Sequence, residues 1–261
     1  MVKSMVSRRF DELTDPTIAE ALAERALVAV PCGSTEQHGP HLPAGTDYFA
    51  SLAIADRVVA ELGGLVLGGF QFGVTPIHMG FVGTVSLSAE TYQTVLMDMG
   101  ASLALHGVKE LAFVNWHEGN IASLATVASR LTQAYDLNVV LAQACYVAEE
   151  LYGEELGGLT HGGAIEAAAV LGAHPELVHY EALDPAAHSP GERAADQARR
   201  GRSFQTVLRD IREISASGWY GSAKQMTTDD GVAVVEAVAD VVARELQVRL
   251  ARLADLRGER R

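Results

Sequence analysis

Short apolar segments alternate along this chain with longer segments in which apolar residues recur at helical spacing. The predicted strands are residues 26–30, 65–72, 110–115 and 137–144. The predicted helices are residues 48–62, 89–106, 121–135 and 228–253. Such alternation is typical of an α/β fold, in which a mainly parallel sheet carries helices on both faces. The polar region at residues 183–212 is expected to be a surface excursion or an oligomer contact.

The composition argues against two classes of binding partner, nucleic acids and membranes. With a net charge of −13 and a pI near 5.1, the chain is poorly suited to binding nucleic acid or an anionic membrane surface. No run approaches the ~20 apolar residues of a membrane span, and the N-terminus lacks the apolar core of a signal peptide. We therefore expect a cytoplasmic protein with no nucleic-acid or membrane partner.

The segment after the first predicted strand carries three side chains that commonly bind metals. Glu36, His38 and Asp47 lie within a stretch punctuated by Gly and Pro, VPCGSTEQHGPHLPAGTD. In open α/β sheets, ligands bind at the carboxyl ends of the strands. A carboxylate and an imidazole two residues apart point the same way in an extended backbone. The segment therefore predicts a metal site at this sheet edge, where Asp47 could bridge two ions.

Further motifs supply the additional ligands that such a site requires. The predicted strand at residues 110–115 runs directly into Trp116, His117 and Glu118. A later motif, THGGAIE, contains His161 and Glu166 and opens a helical stretch. Several histidines and carboxylates gathered at strand ends indicate a functional site more strongly than any single one does.

The types of ligand suggest the chemistry. Carboxylates and imidazoles without thiolates suit divalent Zn, Mn, Fe or Co. Two such ions lower the pKa of a bridging water and polarise a carbonyl group, which is suited to amide hydrolysis. His161 stands beside Gly162 and Gly163, where backbone can approach a substrate closely. Its expected role is to take a proton from the attacking water and to give it to the leaving nitrogen.

Four motifs, in order, resemble those of the creatininase (creatinine amidohydrolase) family. GSTEQHGPHLPAGTD resembles the family's signature loop, and HMGFVGT at residues 78–84 resembles its HxGFPGT segment. NWHEGN at residues 115–120 is similar to its NGHxxN motif, and HGGAIE at residues 161–166 to its HxGxxE motif. The resemblance implies a single domain over residues 1–261, folded as a three-layer α/β/α sandwich. It also implies a homo-oligomer, either a trimer or a hexamer.

The resemblance further implies a centre of two divalent ions per chain, Zn and/or Mn with Fe as an alternative. It divides the ligands into two sets that share a bridging Asp47: Glu36 and His117 for one ion, His38 and Glu166 for the other. His161 matches the family's acid/base histidine. His78 lies in the segment that approaches substrate in the family, and the alternative for it is a structural role.

Departures from the family pattern concern the substrate pocket. Trp116 stands where the family motif has Gly, and Gly119 stands where creatininase carries an acidic residue. Glu118, one place earlier, is a candidate catalytic residue from this shifted position, or it points into the substrate pocket. Trp116 and Trp219 either flank a planar substrate or pack in the wall of the site.

Three functions follow from these observations. The favoured one is a metal-dependent amidohydrolase that acts on a small cyclic amide or a formamide. The second keeps the metal site but hydrolyses a cyclic keto-sugar or a lactone. The third is a catalytically silent family member that serves as a binding protein.

Overall fold

The sheet is parallel and lies in the middle of the fold. The computed structural model describes residues 7–184, 190–200 and 206–258. Within these ranges the strands are β1 Leu27–Cys32, β2 Leu65–Val66, β3 Glu110–Asn115 and β4 Asn138–Gln143. They form one sheet in the order β2-β1-β3-β4, and every pair of neighbours is parallel. The predicted α/β class with a parallel sheet is confirmed.

Eight α-helices occur within the described residues. They are α1 Asp15–Glu24, α2 Thr46–Leu62, α3 Ala89–Leu105, α4 Ile121–Tyr135, α5 Ala144–Leu156, α6 Ala164–Ala173, α7 Pro190–Arg199 and α8 Thr228–Leu256. None of them is both long enough and apolar enough to cross a membrane. Helix α7 lies in the polar region at residues 183–212, of which residues 185–189 and 201–205 are outside the described ranges.

Alternation along the strands produces the three layers. In β1, Leu27 and Ala29 pack into a core cluster with residues of α2, α5, α6 and α8. Val28 and Val30 point the other way, into a cluster with residues of α3 and α4. Successive side chains of a strand point to opposite faces, so a strand buried on both faces reads as a continuous apolar run. The layered α/β/α arrangement implied by the sequence is therefore present.

Two predicted strands end earlier than expected. The strand predicted at residues 65–72 pairs with β1 only at Leu65–Val66. The segment that follows does not continue this pairing, and it contains Gly69 with a φ of 86°, which is not a strand conformation. The strand predicted at residues 137–144 ends at Gln143, because Ala144 begins α5. In α5 the buried residues recur at helical rather than alternating spacing, so an unpredicted helix follows β4 directly.

Helices α6 and α8 approach so closely that only glycine fits at their contact. A Cβ added to Gly231 would lie 2.6 Å from the backbone nitrogen of Gly172 and 2.8 Å from the carbonyl oxygen of Ala168. Helix α8 begins just before this contact with a capping box, in which the side chains of Thr227 and Asp230 cap each other's backbone N–H. Because α6 carries Glu166, this contact fixes the position of one predicted metal ligand.

We expect Gly231→Ala to lower the free energy of unfolding by about 1–3 kcal/mol, since the added methyl group meets backbone atoms that cannot move aside. The matched control is Gly153→Ala in α5, where the Cβ would first meet the flexible side chain of Glu149 at 3.2 Å. That change is expected to be neutral or to stabilise by up to about 1 kcal/mol. Urea unfolding followed by circular dichroism measures the stability of both variants. If Gly231→Ala is as stable as Gly153→Ala, the α6–α8 contact can adjust to the added methyl group.

Candidate metal centre

The pairing of β1 with β3 brings two predicted ligand loops to one edge of the sheet. Cys32 and Asn115, the last residues of these strands, are partners in register. Glu36 and His38 lie shortly after the end of β1, and His117 lies two residues after β3. All three side chains therefore start from the carboxyl edge of the sheet, as the sequence predicts.

Two helix N-termini contribute the remaining predicted ligands. Asp47 lies in the first turn of α2, and Glu166 lies in the first turn of α6. A helix N-terminus carries partial positive charge, which favours a carboxylate there. Ser34 Oγ donates to Asp47 Oδ2 at 2.8 Å, and the Gly162 N–H donates to Glu166 Oε2 at 2.5 Å. Both carboxylates are thus oriented before any ion binds.

Asp47 stands between two histidines, with one oxygen facing each. Its Oδ1 is 3.3 Å from His38 Nε2, and its Oδ2 is 3.0 Å from His117 Nδ1. Glu36 Oε1 lies 3.4 Å from His117 Nδ1, and Glu166 Oε2 lies 3.7 Å from His38 Nε2. Two groups of potential ligands that share Asp47 result: Glu36–Asp47–His117 and His38–Asp47–Glu166.

Backbone carbonyls set the direction of both histidine rings. His38 Nδ1–H donates to the carbonyl of Glu36 at 3.0 Å, and His117 Nε2–H donates to the carbonyl of Val74 at 3.1 Å. The second nitrogen of each ring therefore presents its lone pair to the carboxylates when the ring is neutral. A hydrogen bond of this kind at the far nitrogen is typical of a histidine that binds a metal.

The buried carboxylates of this cluster require compensating positive charge. The three carboxylates of the cluster are at most 6% exposed, and buried negative charges in contact are unfavourable unless they are compensated. Glu36 Oε2 and His38 Nε2 have no hydrogen-bond partner among the described residues. Buried carboxylate oxygens and imidazole nitrogens with open lone pairs fit divalent Zn, Mn, Fe or Co.

The pKa values show how protons compensate these charges when no ion is bound. Burial raises the pKa of the Glu166 carboxyl to about 8. Burial alone would lower the pKa of His38, but Asp47 and Glu166 outweigh it and raise that pKa to about 10. Burial is likewise outweighed at His117, where Glu36 holds the pKa well above its ordinary value. Ions entering the site must therefore displace protons.

His161 faces the same centre but has the opposite proton preference. Its Nε2–H donates to the carbonyl of Gln37 at 2.6 Å, and its Nδ1 lies 3.7 Å from Glu36 Oε1. Burial and the neighbouring His78 and His38 hold its pKa well below the ordinary value. A neutral ring with a lone pair toward the centre suits a base. Glu36, His38 and His161 also lie close enough together to bind an ion.

A cavity of about 290 Å³ opens over this cluster. The predicted site residues in its wall are Glu36, Asp47, His78, Trp116, His117, Glu118, His161 and Glu166. Trp116 also belongs to the core cluster that contains residues of α2, α5, α6 and α8. It therefore packs against the core on one side and borders the cavity on the other. The structure thus brings most of the predicted site residues to a single cavity.

Trp219 lies outside the described cavity wall. It is 2% exposed, and its ring packs 4.7 Å from that of His41. A Cβ on Gly162, whose φ is 72°, would lie 2.8 Å from the Cβ of Trp219. Trp219 therefore packs against the Gly162 turn, and its neighbour Tyr220 borders the cavity instead.

Comparison with known proteins identifies the family. Residues 11–246 match the family model Creatininase, described as creatinine amidohydrolase. The chain belongs to the creatininase family. The resemblance stated from the sequence motifs is confirmed, and so is the prediction of a hydrolase acting on C–N bonds.

Relatives with different substrates cover most of the chain. The mycofactocin precursor peptide peptidase of Mycobacterium ulcerans is 29% identical over 244 residues, which is 89% of this chain and 90% of the relative. The creatinine amidohydrolase of Pseudomonas putida is 26% identical over 253 residues, 87% of this chain and 92% of the relative. The 3-dehydro-scyllo-inosose hydrolase of Thermotoga maritima is 25% identical over 181 residues, 66% of this chain and 58% of the relative.

Solved structures agree with the creatininase fold. A crystal structure of creatinine amidohydrolase has a TM-score of 0.73 and 26% identity, and the match covers 94% of this chain and 99% of that one. A structure described as Creatininase Mn has a TM-score of 0.72 and 25% identity, with the same coverage of 94% and 99%.

Glu118, at the shifted position of the creatininase motif, is held by Arg200 of the cavity wall and by Tyr146 of α5. The Tyr146 hydroxyl donates to Glu118 Oε1 at 2.9 Å, and Arg200 Nη2 lies 3.0 Å from Glu118 Oε2. Arg200 also forms an ion pair with Asp196, with Nε and Oδ2 2.8 Å apart. The structure therefore places Glu118 beside the substrate space, and its catalytic role stays a prediction.

Sequence reasoning missed the residues that reach this wall from distant segments. Arg200 and Ile211 border the cavity, although both lie in the region predicted to be a surface excursion or an oligomer contact. Tyr146 lies in the unpredicted helix α5. None of the three belongs to a motif, because each reaches the site through tertiary packing, and the sequence carries no local signal for them.

The raised pKa values predict that the metal-free protein loses stability as the pH rises. Glu166 binds its proton more tightly in the folded state, so its contribution is full below about pH 4.5 and is lost as the pH rises through about 8. The contribution of His38 is full below about pH 6.5 and is lost through about 10. Each group contributes a slope of up to about 1.4 kcal/mol per pH unit.

Thermal unfolding of chelator-treated protein between about pH 6 and about pH 9 measures this effect, and the midpoint is expected to fall across that range. Glu166→Gln should make the fall shallower. Saturating Zn²⁺ should reverse the trend, because metal affinity increases as ligand protons are lost. A midpoint that rises with pH in the metal-free protein would contradict the assigned proton positions.

Proposed function

We propose that this protein is a binuclear metal-dependent hydrolase of a small cyclic amide or a formamide. The observation that carries the proposal is the position of Asp47, one oxygen of which faces His38 and the other His117. A carboxylate in this position is suited to bridging two ions. Glu36 completes one group of potential ligands, and Glu166 completes the other.

The proposed cofactors are two divalent ions per chain, Zn and/or Mn with Fe as the alternative. When bound, such ions polarise a substrate carbonyl and lower the pKa of a water molecule. The ligand set of oxygen and nitrogen donors supports this choice. The similarity to a structure described as Creatininase Mn supports a divalent metal of this kind.

The proton transfers are assigned to His161. Its Nδ1 lone pair faces the cluster while its Nε2–H is engaged by the Gln37 carbonyl. In amide hydrolysis a bond forms between water oxygen and the carbonyl carbon, and the C–N bond breaks. His161 Nδ1 would accept the water proton and pass it to the leaving nitrogen, which cannot depart as an anion.

The cavity favours a small substrate. Its volume of about 290 Å³ lies just below the roughly 300–1,000 Å³ typical of ligand pockets. A second candidate is an amide bond of a peptide, which the similarity to a mycofactocin precursor peptide peptidase over 89% of this chain supports. The keto-sugar alternative is supported by a match that covers 66% of the chain.

A substrate panel tests the proposal. Protein loaded with Mn²⁺ or Zn²⁺ would be assayed against creatinine and other cyclic amides, formamides, short peptides and cyclic keto-sugars. Turnover of cyclic amides or formamides is the expected result. Turnover restricted to peptides or to keto-sugars would favour the corresponding alternative. Metal binding without turnover of any of them would favour the silent binding protein.

The oligomer and the cellular location stay predictions. Assembly as a trimer or a hexamer follows from the family resemblance, and light scattering coupled to size-exclusion chromatography measures it. A cytoplasmic location, with no nucleic-acid or membrane partner, follows from composition alone. Fractionation of cells that express the protein tests the location.

We expect Asp47→Ala to reduce metal content from about two ions per chain and to abolish hydrolysis, because the side chain faces both ligand groups. Elemental analysis after equilibration with metal and gel filtration measures the content. Asp98→Ala is the control, since Asp98 is an exposed carboxylate on α3. Full activity and full metal content in Asp47→Ala would refute the proposed centre.

We expect His161→Ala to retain its metal and to lower turnover by about two to four orders of magnitude, the usual range for a positioned acid or base. His106→Ala, at an exposed histidine, is the control. Loss of one ion in His161→Ala would instead make His161 a ligand, in line with its place in a third potential ligand group.

A further inference from the structure

Gln37 contacts two histidines of the site through different chemical groups. Its backbone carbonyl accepts a hydrogen bond from His161 Nε2–H at 2.6 Å. Its side-chain nitrogen lies 3.1 Å from His78 Nδ1. The rings of His78 and His161 are neighbours, with centroids 4.1 Å apart. One residue therefore influences the hydrogen bonding of both rings.

The orientation of the Gln37 amide is fixed by its other partners. Its Oε1 accepts from the Gly39 N–H at 3.0 Å, and its Nε2 donates to the Gly218 carbonyl at 2.6 Å. A reversed amide would set two oxygens against each other at Gly218 and two N–H groups against each other at Gly39. The group that faces His78 is thus the NH₂ of the amide, which can only donate.

The proton of His78 must then lie on the nitrogen that faces the cavity. Because Nδ1 accepts from Gln37, it carries no proton, and a neutral ring holds its proton on Nε2. His78 borders the cavity. The acceptor that faces its Nε2, Glu36 Oε1, is 3.8 Å away, which is beyond hydrogen-bond distance. A purely structural histidine would be expected to have its donor satisfied.

We propose that Gln37 is a positioning residue that fixes His78 as a hydrogen-bond donor to the carbonyl oxygen of the reacting amide. This inference rests on the proposed amide hydrolysis. The two neighbouring rings then have opposite roles, since His161 Nδ1 accepts the water proton and passes it to the leaving nitrogen. His78 keeps its proton throughout. Its N–H stabilises the negative charge that develops on the oxygen as the C–O bond forms and before the C–N bond breaks.

Nuclear magnetic resonance of Zn-loaded protein with ¹⁵N-labelled histidine tests the proton position without any substrate. The expected result is His78 protonated at Nε2 and not at Nδ1. Gln37→Glu places a carboxylate, which can only accept, against Nδ1, so a proton should appear there. Gln133→Glu, at an exposed position on α4, is the charge-matched control. A proton on Nδ1 of the unmodified protein, or an unchanged ring in Gln37→Glu, would overturn the proposal.

Kinetics on the amide that the protein hydrolyses test the role of the donor. His78→Phe should lower kcat about 100-fold, the scale for one lost donor to a developing oxyanion, with a smaller change in KM. His78→Gln should restore part of kcat, because its amide N–H reaches about as far as Nε2, while His78→Asn should not. Equal kcat in the Gln and Asn variants would contradict a donor at the Nε2 position, even if His78→Phe failed to fold.

A double variant tests whether Gln37 acts through His78. If it does, adding Gln37→Glu to His78→Phe should leave kcat within a few-fold of His78→Phe alone, because coupled residues are not additive. Multiplied losses would mean that Gln37 acts by another route. Metal content is measured in each variant, since Gln37 lies between two proposed ligands. A correct His78 proton position without any amide turnover would refute the proposed function, not the assignment of the proton.

Discussion

The structure depends on holding three carboxylates together in a buried space. Glu36, Asp47 and Glu166 would repel one another there, and burial removes the water that would otherwise stabilise their charges. Helix N-termini at Asp47 and Glu166 compensate part of this cost. The rest must come from cations or from the protons that the raised pKa values of His38 and Glu166 record. A cluster of this kind is unfavourable for stability alone and is therefore a functional feature.

The backbone decides which atoms the histidines present to this cluster. His38, His117 and His161 each donate from the far nitrogen to a backbone carbonyl, so each offers a lone pair inward when its ring is neutral. His78 instead meets a side-chain amide and offers a proton. Since these carbonyls lie in the loops that follow β1 and β2, the orientation of the rings is set by the fold before any ligand arrives. Of these four imidazoles, three therefore present an acceptor to the cluster, and His78 presents a donor.

The sequence predicts the site better than it predicts the wall around it. Glu36, His38 and His117 could be brought together from sequence because each follows a strand of a parallel sheet, and parallel strands place their carboxyl ends at one edge. Arg200 could not, because it reaches Glu118 from a polar segment more than 80 positions away. For Trp219 the sequence left open a substrate contact or packing in the wall, and the contact of this residue with the Gly162 turn joins distant segments, which no local pattern reports. Local patterns determine strand ends, whereas long-range packing determines the wall.

The departure from the family motif at Glu118 is coupled to that long-range packing. An acidic residue in the cavity wall that the three buried carboxylates also line would add to their repulsion if it were uncompensated. Here Arg200 and the Tyr146 hydroxyl engage both oxygens of Glu118, and Arg200 is in turn paired with Asp196. The shifted carboxylate and its cation thus form one unit of the cavity wall, anchored to α5 and to the residue that follows α7. Differences in substrate from other creatininase-family members are therefore expected to originate in this unit, while the proposed metal ligands stay the same.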